Sequence, residues 1–380
     1  MNIQKSMILM VPIVLSSIFL TCDSDENGPS APQLSENIAA QIDWIVDSVM
    51  TADNLPGVCI DIRIPDQGNY IKAYGLANLT GEIPRTVNDP FRAASITKSM
   101  VATVILTLVD DGLLNASDPV SDYLPDFPNG ETITVRNLLR MRSGIVDYAD
   151  EEMLAEWYAE PTKEYVVDSL IALSAAQHSN FSLAGNQTVY CNVNYSILGC
   201  IAEQVTGKPI RDLLQERIFN VLGMNDSFYP EYTDISLDGT NHGYCRDSST
   251  GDFVDKTELN TSCGNSAGAV ISTLADLQVF ACALYSGMLL SEATQQSRLE
   301  AIPFAGSPEF IGYGEGIMKL SHFWGHNGTI FGFSSEMFYL PEEDATIIIS
   351  VNRLDLDDHS QSTYLFLLLS RELFPDYVDW

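Results

Sequence analysis

The chain has 380 residues, with 51 acidic and 19 basic side chains and a formal net charge of −32. That balance excludes nucleic acid as a partner, because gripping phosphates needs a basic footprint. The length allows one large domain or two intimate ones around a substantial core, and the dispersed acids read as a solvated surface rather than a binding face.

Residues 1–21 read as a secretory signal: Lys5 precedes a mostly apolar run from Met7 to Leu20, short for a membrane span and followed by polar residues. Phe19-Leu20-Thr21-Cys22 resembles a bacterial lipoprotein processing site with Cys22 as the lipidated residue. It departs from that pattern at Thr21, where a smaller residue is usual, and at Phe19, where leucine is usual. Ordinary signal cleavage is the alternative. Either route carries the chain across the inner membrane to the periplasm or cell envelope, with a lipid on Cys22 as the one expected membrane contact. Residues 22–37, rich in Asp, Glu, Ser, Pro and Gly, read as a flexible tether, which leaves 38–380 as the folded domain.

Gly57–Pro65 alternates apolar and polar residues, turns at Asp66-Gln67-Gly68-Asn69 and resumes at Tyr70–Tyr74, which predicts a hairpin. From Ser95 onward Met100, Val101, Val104, Ile105, Leu108 and Val109 fall at helical spacing, up to Asp110-Asp111-Gly112. The middle of the chain reads mainly as helix and loop, with helices over Val135–Met141, Thr162–Ala176, Val193–Val205 and Ile210–Val221. A second hairpin is predicted where Ser335–Leu340 and Ala345–Val351 flank Pro341-Glu-Glu-Asp344, followed by an amphipathic helix over Ser360–Leu373. The fold class is therefore α+β: a lobe of about 38–115 and 263–380, its antiparallel sheet built from both chain ends, with a helical lobe of about 116–262 inserted. A cleft between the lobes is the default site.

Six cysteines follow Cys22, and in an oxidising compartment their pairing is open. Cys245 and Cys263 flank a turn-rich stretch and are the favoured disulfide, whereas Cys59 and Cys282 read as small core residues. No Cys-x-x-Cys occurs, and no histidine pair at ligand spacing is convincing, so no metal and no other cofactor is expected.

Chemistry concentrates in three places. Ser95-Ile96-Thr97-Lys98 puts a hydroxyl one turn before the only lysine of seven with a serine three residues ahead of it. At a helix start the two share a face, and the helix dipole and burial both disfavour the ammonium, so Lys98 can serve as the base for Ser95. Tyr190-Cys191-Asn192 precedes a helix. Its tyrosine can relay protons, with a phenol pKa lowered beside the lysine, and its asparagine can hold a nucleophile or a substrate carbonyl. Read alone, the pair also fits a core tyrosine and a helix cap. Trp324-Gly325-His326-Asn327-Gly328-Thr329 offers a glycine-flanked strand for close approach of substrate backbone, and His326 as a donor or a group titrating near pH 7. Alone, His326 also fits a satisfied, partly buried histidine.

Together, Ser-x-x-Lys, then Tyr-x-Asn, then His-x-Gly resemble the three signature elements of the serine β-lactamase/penicillin-binding-protein superfamily. The resemblance is to its branch of class C β-lactamases, D-alanyl-D-alanine carboxypeptidases, D-aminopeptidases and related esterases, and it runs from about residue 38 to the C-terminus. Flanking stretches share it, among them Pro56-Gly57-Val58, Tyr123-Leu124-Pro125-Asp126, Ser143-Gly144-Ile145 followed by Asp147-Tyr148, and Gly332-Phe333-Ser334-Ser335. The resemblance implies Ser95 as the acylated nucleophile, Lys98 as its base and Tyr190 as the proton relay. It implies Asn192, His326, Gly328 and Thr329 as substrate-binding, with the Ser95 and Thr329 N–H groups forming an oxyanion hole. The chain departs from class C enzymes in carrying His326 for lysine, as carboxypeptidase- and aminopeptidase-like members do. Cys191 replaces a serine, and Met141-Arg142 replace histidine and threonine. The implied activity is a serine hydrolase acting on a D-amino-acid peptide or amide bond or a β-lactam-like amide, its partner a small peptide, amide or ester substrate. A short-chain carboxylesterase and a non-catalytic envelope binding protein are the alternatives.

Overall fold

The computed structural model describes residues 32–380 apart from 235, 238–240, 248 and 356–359. The expected signal segment, Cys22 and the first part of the tether lie outside the described residues. The end of the expected tether is folded instead. The Leu34 N–H donates to the Asn69 carbonyl at 3.1 Å, and the Ser35 hydroxyl caps helix α1, Glu36–Asp53, by accepting from the Ile38 N–H. A serine cap followed by Ile42, Ile45, Val46 and Val49 on one buried stripe outweighs the polar composition around it.

Nine strands form one antiparallel sheet: β1 Gly57–Ile64, β2 Gly68–Asn78, β3 Ile83–Pro84, β4 Ile302–Pro303, β5 Ile311–Tyr313, β6 Met318–Leu320, β7 Phe323–Ile330, β8 Phe333–Leu340 and β9 Ala345–Val351. Their order is β3-β2-β1-β9-β8-β7-β6-β5-β4, so β1 and β9 join the two chain ends in register, with Val58 opposite Val351 and Ile62 opposite Ile347. The period-two alternation of the strands sorts the core into two layers. Val58, Ile60, Ile62, Ile347 and Ile349 pack with α1 and with α5, Gln361–Leu373, on one face. Cys59, Met337 and Ile348 join the larger core on the other face.

That larger core is organised around α2, Ile96–Asp110, which is buried along nearly its whole length. A helix apolar on all sides belongs in the middle of a molecule. Against it lie α3, Val193–Thr206, and the segment from Ile210 to Phe219, while α4, Leu274–Ser286, packs on the sheet and the helices Val135–Leu139 and Val167–Ala176 pack on α3. Two expected helices change shape. The helix expected from Thr162 starts only at Val167, because Pro161 and Tyr165 bond to the Asn260–Ser262 segment instead. The segment from Ile210 widens into a π turn over Gln215–Phe219 before ending at Leu222.

Cys245 and Cys263 are free, buried thiols, contrary to the favoured disulfide. Cys245 lies on a short strand opposite Val254, so backbone pairing closes the turn that a bridge was expected to staple. Cys263 is packed beneath Tyr148, whose hydroxyl donates to its carbonyl at 2.6 Å.

Candidate active site

Ser95 sits immediately before α2 in the N-cap position, yet its side chain makes no capping bond. The hydroxyl is thereby left for the turn above it. The Lys98 amine donates to Ser95 Oγ at 3.0 Å and to the Ala267 carbonyl at 2.7 Å. Lys98 has no exposed surface. Burial pulls its amine down to about 7, with the Asp147 carboxylate acting in the opposite direction. An amine half-neutral near pH 7 and in contact with a hydroxyl can accept its proton. The residue before the serine, Ala94, holds φ at 49°, a left-handed conformation uncommon outside glycine, which the surrounding packing enforces.

Tyr190, Cys191 and Asn192 arrive on an extended loop before α3. The Lys98 Nζ lies 4.9 Å from the Tyr190 ring centroid, and the Ser95 side chain is within hydrogen-bonding reach of the Tyr190 hydroxyl. The expected lowering of the phenol pKa is reversed. Although the side chain as a whole is 36% exposed, desolvation of the phenol in the cleft pushes its pKa above the ordinary value, and the nearby Ser95 hydroxyl offsets only part of that. Tyr190 is therefore a neutral donor at physiological pH.

Asn192 is not the side-chain cap of α3. Its Nδ2 and its backbone N–H both donate to Asp147 Oδ2 at 2.8 Å, and the Val193 N–H donates to Asp147 Oδ1 at 3.0 Å. Asp147 thus satisfies orphan N–H groups at the start of the helix and fixes the Asn192 amide. Met141 and Arg142 support the same loop. Met141 Sδ accepts from the Cys191 N–H at 3.4 Å, while the Arg142 guanidinium donates to the Gly185 carbonyl and, at 3.4 Å, to Thr188 Oγ1. Nothing in the sequence marked Asp147, Met141 or Arg142 for these tasks, because each bond spans 43 to 50 residues.

β7 passes beside the Ser95 loop. A Cβ added at Gly328 would lie 2.2 Å from the Ala93 carbonyl oxygen, so only glycine permits this approach. β6 pairs with β7 only over Phe323–Gly325, and from His326 onward the β7 edge has no strand partner on that side among the described residues. Its main-chain groups are available to a ligand beside Ser95 and Thr329.

His326 departs from expectation. It is fully buried and lines neither cavity beside Ser95. Its Nδ1 faces the Asn327 carbonyl at 2.5 Å, so that nitrogen carries the proton and Nε2 accepts from the Tyr313 hydroxyl at 3.0 Å. Desolvation, then the nearby Lys98 charge, push its pKa down to about 3, so it is neutral near pH 7 instead of titrating there.

Two cavities meet at Ser95, Tyr190 and Thr329. One, of about 460 Å³, is also walled by Val189, Phe304, Ile311, Met318 and Asn327; the other, of about 210 Å³, by Tyr148, Leu154, Trp157, Asn192 and Ile330. Six of the seven residues singled out from the sequence within the described chain touch or border this junction, and His326 stands directly behind it, 6.2 Å from Tyr190 between ring centroids.

Comparison with known proteins gives one direction. A profile of the Beta-lactamase family matches residues 42–370. Two penicillin-binding proteins of Bacillus subtilis (strain 168), one of them putative, are 27% and 29% identical over 77% and 69% of this chain, which spans 67% and 62% of their lengths. Among solved structures, a D-stereospecific amidohydrolase from Streptomyces sp. superposes with a TM-score of 0.79 at 26% identity, covering 89% of this chain and 99% of that one. The D-amino acid amidase from Ochrobactrum anthropi SV3, complexed with L-phenylalanine amide, gives 0.78 at 26% identity over 89% of this chain and 97% of its own.

Proposed function

The chain belongs to the beta-lactamase family and is a serine hydrolase, and from that premise we propose that it cleaves a small amide, of the D-amino-acid amide class, through an ester formed on Ser95. The observation that carries this reading is the buried Lys98 amine 3.0 Å from Ser95 Oγ. In the forward step the neutral amine takes the Ser95 proton as Oγ attacks the amide carbon. The new Oγ–C bond pushes charge onto the carbonyl oxygen, which the N–H groups of Ser95 and Thr329 receive. Collapse breaks the C–N bond. The departing nitrogen takes a proton through the Tyr190 hydroxyl, which is replenished from the Lys98 ammonium. Water then attacks the ester carbon, its proton passes back to this pair, and the Oγ–C bond breaks to free the acid and restore Ser95. Asn192, held by Asp147, orients the substrate carbonyl or amide in this scheme, and Gly328 lets the β7 edge lie against the substrate backbone. The reading extends to an exported, Cys22-anchored enzyme, for which loss of membrane association in Cys22→Ser is the corresponding check.

The test is covalent. A fluorophosphonate should add to the wild-type chain once, on the peptide containing Ser95, and D-phenylalanine amide should be hydrolysed. Ser95→Ala should lose both, while keeping its fold by circular dichroism. A wild-type chain that no active-site reagent labels would refute the reading.

A further inference from the structure

Among the described residues, the walls of the two cavities beside Ser95 contain no lysine, arginine, histidine, aspartate or glutamate. The cations near them are already committed. Lys98 is buried and bonded to Ser95 and the Ala267 carbonyl; Arg142 is bonded to Gly185 and Thr188, behind the larger cavity. His326 stands behind β7, its ring nitrogens taken by the Asn327 carbonyl and the Tyr313 hydroxyl.

We propose, building on the acyl-enzyme reading above, that this site selects substrates whose two arms are free of carboxylate, so that the leaving group is a simple amine, amide-bearing amine or alcohol rather than a free amino acid. A carboxylate entering either cavity would lose water and meet no charged donor in its walls, since the Lys98 amine has no exposed surface to offer it. His326, behind that wall, adds no charge near pH 7, because burial and then the nearby Lys98 hold it neutral. The net charge of −32 acts in the same direction from longer range, repelling anions as they approach. The selection does not depend on which cavity takes the acyl arm, because both have uncharged walls.

A matched pair of phosphonate phenyl esters, alike except for a meta-carboxamide or a meta-carboxylate on the leaving phenol, isolates the effect. In each, Ser95 Oγ bonds to phosphorus, the phosphorus–phenoxy bond breaks and the phenol leaves with a proton, so no particular amide needs to be turned over. With each rate divided by that of hydroxide, the carboxamide ester is expected to label Ser95 faster by about tenfold or more. The preference should persist at high salt, where long-range repulsion is screened. Met318→Arg or Ala305→Arg, either sufficing if the other misfolds, should narrow the ratio several-fold by placing a cation in the larger cavity. Equal rates, a faster carboxylate ester, or a preference that vanishes in salt would overturn the selection by the cavity walls while leaving the Ser95 chemistry intact. Labelling of neither ester at Ser95 would overturn the underlying reading and this inference with it.

Discussion

Lys98 carries most of the chemical weight among single residues. Its amine is near 7 because burial outweighs the favourable field of Asp147. Since the neutral amine is the form that accepts the Ser95 proton, acylation should rise with pH along a single limb centred near 7. Asp147→Asn removes a negative charge that favours the ammonium, so the limb should move to lower pH. It should also slow acylation by roughly tenfold, because Asn192 loses its charged anchor. A pH–rate profile of kcat/KM for the two proteins decides; an unmoved limb would show that Asp147 acts on the loop alone. The pairing of Ser95 with Lys98 was legible because i and i+3 on a helix are neighbours whatever the tertiary fold does. The phenol was misjudged because desolvation of Tyr190, which exceeds the help of a nearby cation, depends on what the rest of the chain puts around it.

At the level of elements, the decisive contact is β7 against the turn before α2. It rests on Gly328, whose missing side chain leaves room for the Ala93 carbonyl. Gly328→Ala should therefore displace β7 from the Ser95 loop, reducing kcat/KM by about a hundredfold or more and lowering stability by on the order of 1–3 kcal/mol. Measuring denaturation midpoint and amidase or labelling rate on the same sample separates the two effects. A variant that keeps wild-type activity would mean the strand does not need this approach. The strand itself was readable from alternation and flanking glycines. That His326 points away from the cleft was not, since a strand's two faces are assigned only when its partners are known. Likewise Asp147 and Arg142 hold the Tyr190 loop through bonds that no local pattern encodes.

For the molecule as a whole, the sheet that joins both chain ends also buries an acid. Glu336 on β8 is 1% exposed, and its Oε1 accepts from the hydroxyls of Ser362 and Thr363 at the start of α5. Burial pushes its pKa up to about 8, with these two hydrogen bonds opposing the shift. The folded state thus holds this proton more tightly than the unfolded state does. Its contribution to stability is fully present below the unfolded value near 4.5 and is lost as pH rises toward 8. The loss should reach on the order of a few kcal/mol. Glu336→Gln keeps an oxygen acceptor for both hydroxyls and removes the titration, so its melting temperature should fall less than that of the wild type between pH 5 and 8. Parallel melting curves for the two proteins would contradict this.

The sequence by itself determined the helical start at Ser95, the two hairpins, the last helix and the three motifs, because each is written in periods of two or 3.6 residues or in spacings within one turn. Family membership followed from the order of those motifs. Only the tertiary structure decided which groups are charged and which face the cleft. The neutral His326, the raised Tyr190 phenol, the free Cys245 and Cys263 thiols and the Asp147 clamp on Asn192 all arise from burial and from partners that the packed chain brings beside them. Desolvation and long-range contact are properties of the packed chain, and no local stretch of sequence carries them.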